Sequence, residues 1–188
     1  MVDANRDKVQ GLLLKILSDL GEAVYTTTLV KLMYFIDYFH TRQTGRGATD
    51  LDWIWDEYGP NAEGHVIIKT ADTLVQAGEI EIKSAPGGDK ARVYRSVTGN
   101  IVTYDPTLEA IIDEVLANYA PLSVEELKQQ AKRTLPFRFA RPGRRLILSR
   151  FERDIPIPTE EDWAKHQLER AGARGKTVSE LRAKYKLD

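Results

Sequence analysis

Apolar positions along the first part of the chain recur at helical spacing. Val9, Leu12, Leu13, Ile16, Leu17 and Leu20 share one face, which predicts a helix over 5–20 that Gly21 stops. Leu29, Leu32, Met33, Ile36 and Phe39 repeat the pattern, and Tyr34, Phe35 and Tyr38 widen the stripe. A second helix is therefore expected from the threonine cluster Thr26–Thr28, with a hydroxyl capping its first amides, to His40. Its broad apolar face makes it central to the fold. Polar and glycine-rich residues 41–50 then read as a loop, and residues 51–60 as a short extended segment ending at Pro60.

The pattern returns to helix over 61–77, through Val66, Ile67, Leu74 and Val75, before Gly78. Residues 79–83 and 92–98 form a hairpin around a Gly-Gly turn. Leu108, Ile111, Ile112, Val115 and Leu116 predict a helix over 106–119. Ser123 and Glu126 form a capping box that opens a further helix ending near Arg133. The prolines of residues 134–148 predict irregular backbone, with a short strand at 146–148. Pro156 and Pro158 mark a linker, followed by two short helices that include Trp163 and Tyr185. The expected fold class is mainly α with a small β-hairpin (α+β), a helical domain with a winged-helix-like element. A first unit, 1–153, carries a helical extension, 154–188.

Composition narrows the chemistry. The 188 residues include no cysteine, which excludes disulfides, thiolate metal sites and cysteine catalysis. The N-terminal residues do not resemble a secretion signal, and no apolar run suits a membrane span, so a cytoplasmic protein is expected. His40, His65 and His166 fall in no metal-binding spacing, and no phosphate-binding or nucleophile motif occurs. Asp50, Asp52, Asp56 and Glu57 cluster without the offsets of a calcium loop. Neither a catalytic set nor a cofactor is expected.

The net charge of −1 conceals two opposed segments. Residues 50–82 are acidic apart from Lys69, and residues 128–153 are basic apart from Glu152. Either they neutralise each other inside the fold or one faces a charged partner. Trp53 and Trp55 alternate onto one face of an extended segment and Tyr58 onto the other. They serve as core aromatics or as anchors of a binding surface. Trp53, Trp55, Tyr58, Arg138, Arg141, Arg144 and Arg145 are the candidate partner-binding residues. Lys90, Arg92 and Arg95 on the hairpin are the candidate nucleic-acid contacts, but the helix before them is acidic.

One stretch resembles a known family. Lys31, Leu32, Tyr34, Phe35 and Asp37 on a helix, then Gly47, Asp52 and the Tyr58–Gly59–Pro60 turn, are similar to the Panacea domain of SocA-like antitoxins. The later Leu-Ser-Val-Glu-Glu-Leu matches that family's Leu-Ser-x-x-Glu-Leu helix. Lys132, Thr134, Leu135, Pro136 and Phe137 depart from its usual His and Thr-Pro-Trp-like continuation. The resemblance spans about 5–151. It implies a non-enzymatic antitoxin of a bacterial toxin–antitoxin system, whose partner is a cognate toxin protein. The alternatives are a winged-helix-like regulator that binds operator DNA and a prophage-associated protein. A homo-oligomer is compatible with each. Asp37 and Asp52 are expected to pair internally with arginines such as Arg42 or Arg46.

Overall fold

The structure, a computed structural model, describes residues 2–84, 92–97 and 102–151. The helical extension expected over 154–188 lies outside these residues. Helix α1, Val2–Leu20, buries the expected stripe, with Val9, Leu13, Ile16 and Leu17 fully covered. Gly21 ends it in a left-handed conformation, φ 64°, and donates its amide to Leu17 O.

The threonine cluster does not cap the second helix. Val24–Tyr25 is instead strand β1, and the chain passes straight from it into helix α2, Thr26–Thr44. Tyr25 occupies the cap position without a side-chain cap bond, while Thr26 Oγ1 donates to Arg92 O at 3.0 Å. The sheet contact has taken the hydroxyl that the sequence offered to the helix. At the other end α2 runs one turn past His40. Gly45, φ 79°, closes it by donating to Thr41 O at 2.8 Å. Every residue of α2 from Thr28 to Tyr38 is buried, so the helix is surrounded rather than amphipathic. Helices α4, Pro106–Tyr119, and α5, Val124–Arg133, pack against it.

Strands β2, Trp53–Ile54, and β3, Asn61–Ala62, form an antiparallel ribbon. The expected helix over 61–77 therefore begins late. A 3-10 turn, Glu63–His65, precedes helix α3, Val66–Gln76. Gly64 and His65 both take positive φ, 65° and 56°, which no continuous helix accommodates. Strands β4, Ile80–Ser84, and β5, Arg92–Ser96, are the expected hairpin, registered Ile82 opposite Tyr94. A strand that local sequence did not announce joins it, since β1 pairs with β5 to give the order β1-β5-β4.

Helix α4 starts and ends where the periodicity places it. Asp105 caps it, accepting from the amides of Thr107 and Leu108 at 3.0 and 3.2 Å. Asp105→Ala is expected to lower the unfolding free energy by about 1 kcal/mol in urea titration. The Ser123–Glu126 capping box of α5 is formed in both directions. The irregular stretch after it contains a short helix, α6, Leu135–Phe139. Pro136 sits in its first turn, where the missing N–H leaves no bond unmade. In place of a strand at 146–148, Arg145 bridges Ile54 and a 3-10 turn follows at Leu148–Phe151. The fold is mainly helical with small antiparallel sheets, and the helix α3 and hairpin β4–β5 succession of a winged element is present.

Candidate functional site

Two charged side chains on α2 point into the protein. Asp37 is 1% exposed and accepts bonds from Thr49 N at 2.9 Å, Trp53 Nε1 at 2.8 Å and Thr49 Oγ1. Burial pushes its carboxyl above the usual range, against the pull of these donors. The partner is therefore not Arg42, which donates to Tyr38 Oη at 3.3 Å and lies over that ring, nor Arg46. A guanidinium would have to be stripped of water to reach Asp37, whereas Thr49 and Trp53 bring neutral donors. Asp52 does pair with an arginine, but with Arg145.

Lys31, six residues before Asp37 on the same helix, is the second buried charge at 3% exposure. Its ammonium donates to Pro60 O at 2.6 Å and so ties α2 to the Tyr58–Gly59–Pro60 turn. Gly59 adopts φ 95°, and a Cβ there would stand 3.4 Å from Lys31 Nζ. Glycine is needed both for the backbone and for the lysine's passage. The turn leads into β3, not into a helix as the Gly-Pro signal suggested.

The candidate partner-binding residues divide. Trp53 is 1% exposed, edge-on to Tyr34 at 5.2 Å, and belongs to the core instead of a binding surface. Trp55 is half-buried and stacks on Phe137 at 4.9 Å. Tyr58 is 59% exposed, with Lys128 Nζ over its ring at 5.5 Å. Arg138, Arg141, Arg144 and Arg145 are all exposed.

Backbone bonds bring the arginine stretch to the tryptophan stretch. Trp55 N donates to Arg144 O at 2.8 Å, Gly143 N to Trp55 O at 3.2 Å and Leu146 N to Trp53 O at 2.6 Å. A basic turn is thus fastened along β2, whose other edge holds β3. The Asp52–Arg145 pair joins the acidic and basic segments here. Arg141 and Arg144 make no side-chain hydrogen bond or ion pair with any described residue. Next to the turn lies a groove of about 520 Å³ whose lining includes Leu51, Leu146, Leu148 and Arg145.

The hairpin offers less to nucleic acid. Arg92 is paired with Asp72 at 2.7 Å and Lys83 with Glu81 at 2.8 Å, whereas Arg95 is exposed. Lys90 lies outside the described residues. Among the described residues no group of His, Asp and Glu is placed to hold a metal ion. Asp50 is paired with Lys8 at 2.5 Å, and Asp56 accepts from Tyr58 N at 2.9 Å. His40 bonds Arg46 O at 2.7 Å. None of the described helices is long and apolar enough to cross a membrane.

Fold and surface define a helical domain with two polar side chains of its central helix buried and bonded, and a basic turn displayed beside a short β-ribbon. Residues 29–134 match the family model described as antitoxin SocA-like, Panacea domain, more than half of the chain. The chain belongs to this family. The match runs from the first turns of α2 to the end of α5 and contains Lys31, Asp37, Trp53 and the Tyr58–Pro60 turn. No curated protein and no solved structure matches it.

Proposed function

We propose that this chain is a non-enzymatic antitoxin that neutralises a co-encoded toxin by binding it directly in the bacterial cytoplasm. Membership of the SocA-like Panacea family carries the reading. The charges inside the domain support it. Lys31 and Asp37 are spent on Pro60, Thr49 and Trp53, which suits structural cross-links better than a reactive centre. The exposed polar groups, above all the arginines of 138–145, suit recognition of another protein. Operator DNA is the weaker partner, because Arg92 and Lys83 are already engaged by carboxylates.

Co-expression tests the proposal. The protein encoded by the adjacent gene is placed under tight control, with and without this chain, and growth and co-purification are scored. Arrest by the neighbour alone, rescued by this chain in a stable complex, is the expected result. A harmless neighbour that does not co-purify would remove the reading.

A further inference from the structure

We infer that the turn 138–147 is the toxin-contacting surface, and that it takes a segment of the partner in which acidic side chains flank an apolar one. The inference rests on the antitoxin reading and adds to it the face and the chemistry of its partner.

Three features of the turn converge. The first is unspent charge. Arg141 and Arg144 are exposed and bond no described side chain, whereas Arg145 is held by Asp52. Guanidinium groups present a planar fork of donors that fits carboxylates, and two without a partner among the described residues leave that capacity open.

The second is rigidity. Among the backbone bonds that hold the turn, three run to Trp53 and Trp55, on and just after β2, and one runs from Arg144 N to Arg141 O at 3.0 Å. Phe137, the residue before the turn, stacks on Trp55. Arginines on a fixed backbone lose less freedom on binding than arginines on a loose loop.

The third is the groove, about 520 Å³, that the same segment helps to line through Arg145, Leu146, Ile147 and Leu148, with Asp37, Thr41 and Asp50 among its polar lining. Ile147 is 53% exposed beside it. An apolar side chain entering there would desolvate the rim and strengthen the charged contacts around it.

Charge layout decides between protein and nucleic acid. Asp50 lines the groove and Asp52 flanks Arg145. A phosphate backbone carries negative charge at every step and needs successive cations, but Lys8 and Arg145 are already taken by these two carboxylates. A protein segment carries discrete charges and can set its acids on Arg141 and Arg144 alone.

The test uses the full chain and the purified product of the adjacent gene, with binding followed by calorimetry at low and moderate salt. R141E/R144E is expected to weaken the complex at least about 100-fold, and the milder R141Q/R144Q about 10-fold, with a shallower salt dependence for both. Lys69→Glu, an exposed charge change on α3, is expected to leave affinity within about threefold. Circular dichroism melts check that each variant is folded. If the complex forms and both arginine variants bind like the parent, this inference is overturned while the antitoxin reading stands. If the adjacent product fails to bind and a 30-bp DNA duplex (on the order of three helical turns) binds in an arginine-dependent way, both readings fall.

Discussion

Asp37→Ala is expected to lower the unfolding free energy by about 3–5 kcal/mol, measured by urea titration with tryptophan fluorescence. The carboxyl sits where three successive elements fold back together, α2, the loop at Thr49 and strand β2. Alanine would remove the acceptor and leave the Thr49 amide, the Thr49 hydroxyl and the Trp53 indole N–H buried without one. Each orphaned donor costs at least about 1 kcal/mol, and the vacated volume adds to the loss. Asp37→Asn keeps the shape and one acceptor oxygen but turns an amide N–H₂ toward another donor. A smaller loss, about 2 kcal/mol, is expected for it.

The pH dependence of the same variant has a definite sign. Burial raises the folded-state pKa of Asp37, so the folded protein binds this proton more tightly than the unfolded chain does. The stabilisation linked to that proton is complete below the ordinary carboxylate value and is lost as pH rises toward the folded value. The gap between parent and Asp37→Ala should therefore be wider at pH 4 than at pH 8 (about 4 being the ordinary carboxylate value). A gap that widens with rising pH would show that the three donors outweigh burial.

How much of this was legible in the chain depended on whether the determinant was local. Helix α4 was read to the residue because periodicity and a proline set it, and the α5 capping box because Ser123 and Glu126 are neighbours. The hairpin strands were read from alternation around the Gly-Gly turn. The third strand was not, because β1 is two residues long and its partner lies far along the chain. Thr26 shows the same limit from the other side. It carries a capping residue's chemistry, yet a carbonyl on β5 takes its hydroxyl.

The candidate site was legible in composition and opaque in geometry. Clustering of residue types picked out both the tryptophans and the arginines, and the backbone does bring the two stretches together. Which aromatic faces solvent was beyond the alternation rule, because an indole donor satisfied by buried Asp37 draws Trp53 inward. The signal that could have found the interior pair is the placement of Lys31 and Asp37 among otherwise apolar α2 residues. A charge inside such a run is buried with its helix and must be met by a partner from elsewhere.

Lys31 offers the second large effect, and pH isolates it. Loss of hydration drives its pKa down from 10.5 to about 8; Asp56 opposes this, and Lys128 and Lys132 add to it. The folded protein thus releases the lysine proton well before the unfolded chain does. Below about 8 the buried ammonium costs the fold about 3 kcal/mol relative to the neutral amine, and that cost is lifted as pH rises to 10.5. Lys31→Met keeps the apolar stem and removes the titration. It also leaves Pro60 O without its donor, a loss of about 1–3 kcal/mol that relief from burying a charge offsets at neutral pH. Parent and variant should therefore be close in stability at pH 7. The parent should then gain about 3 kcal/mol on the variant by pH 10.5, in denaturant titrations of both at each pH. A difference that stays flat across this interval would mean that Lys31 keeps its water, and the tie between α2 and the Tyr58–Gly59–Pro60 turn would then be a surface contact instead of a buried one.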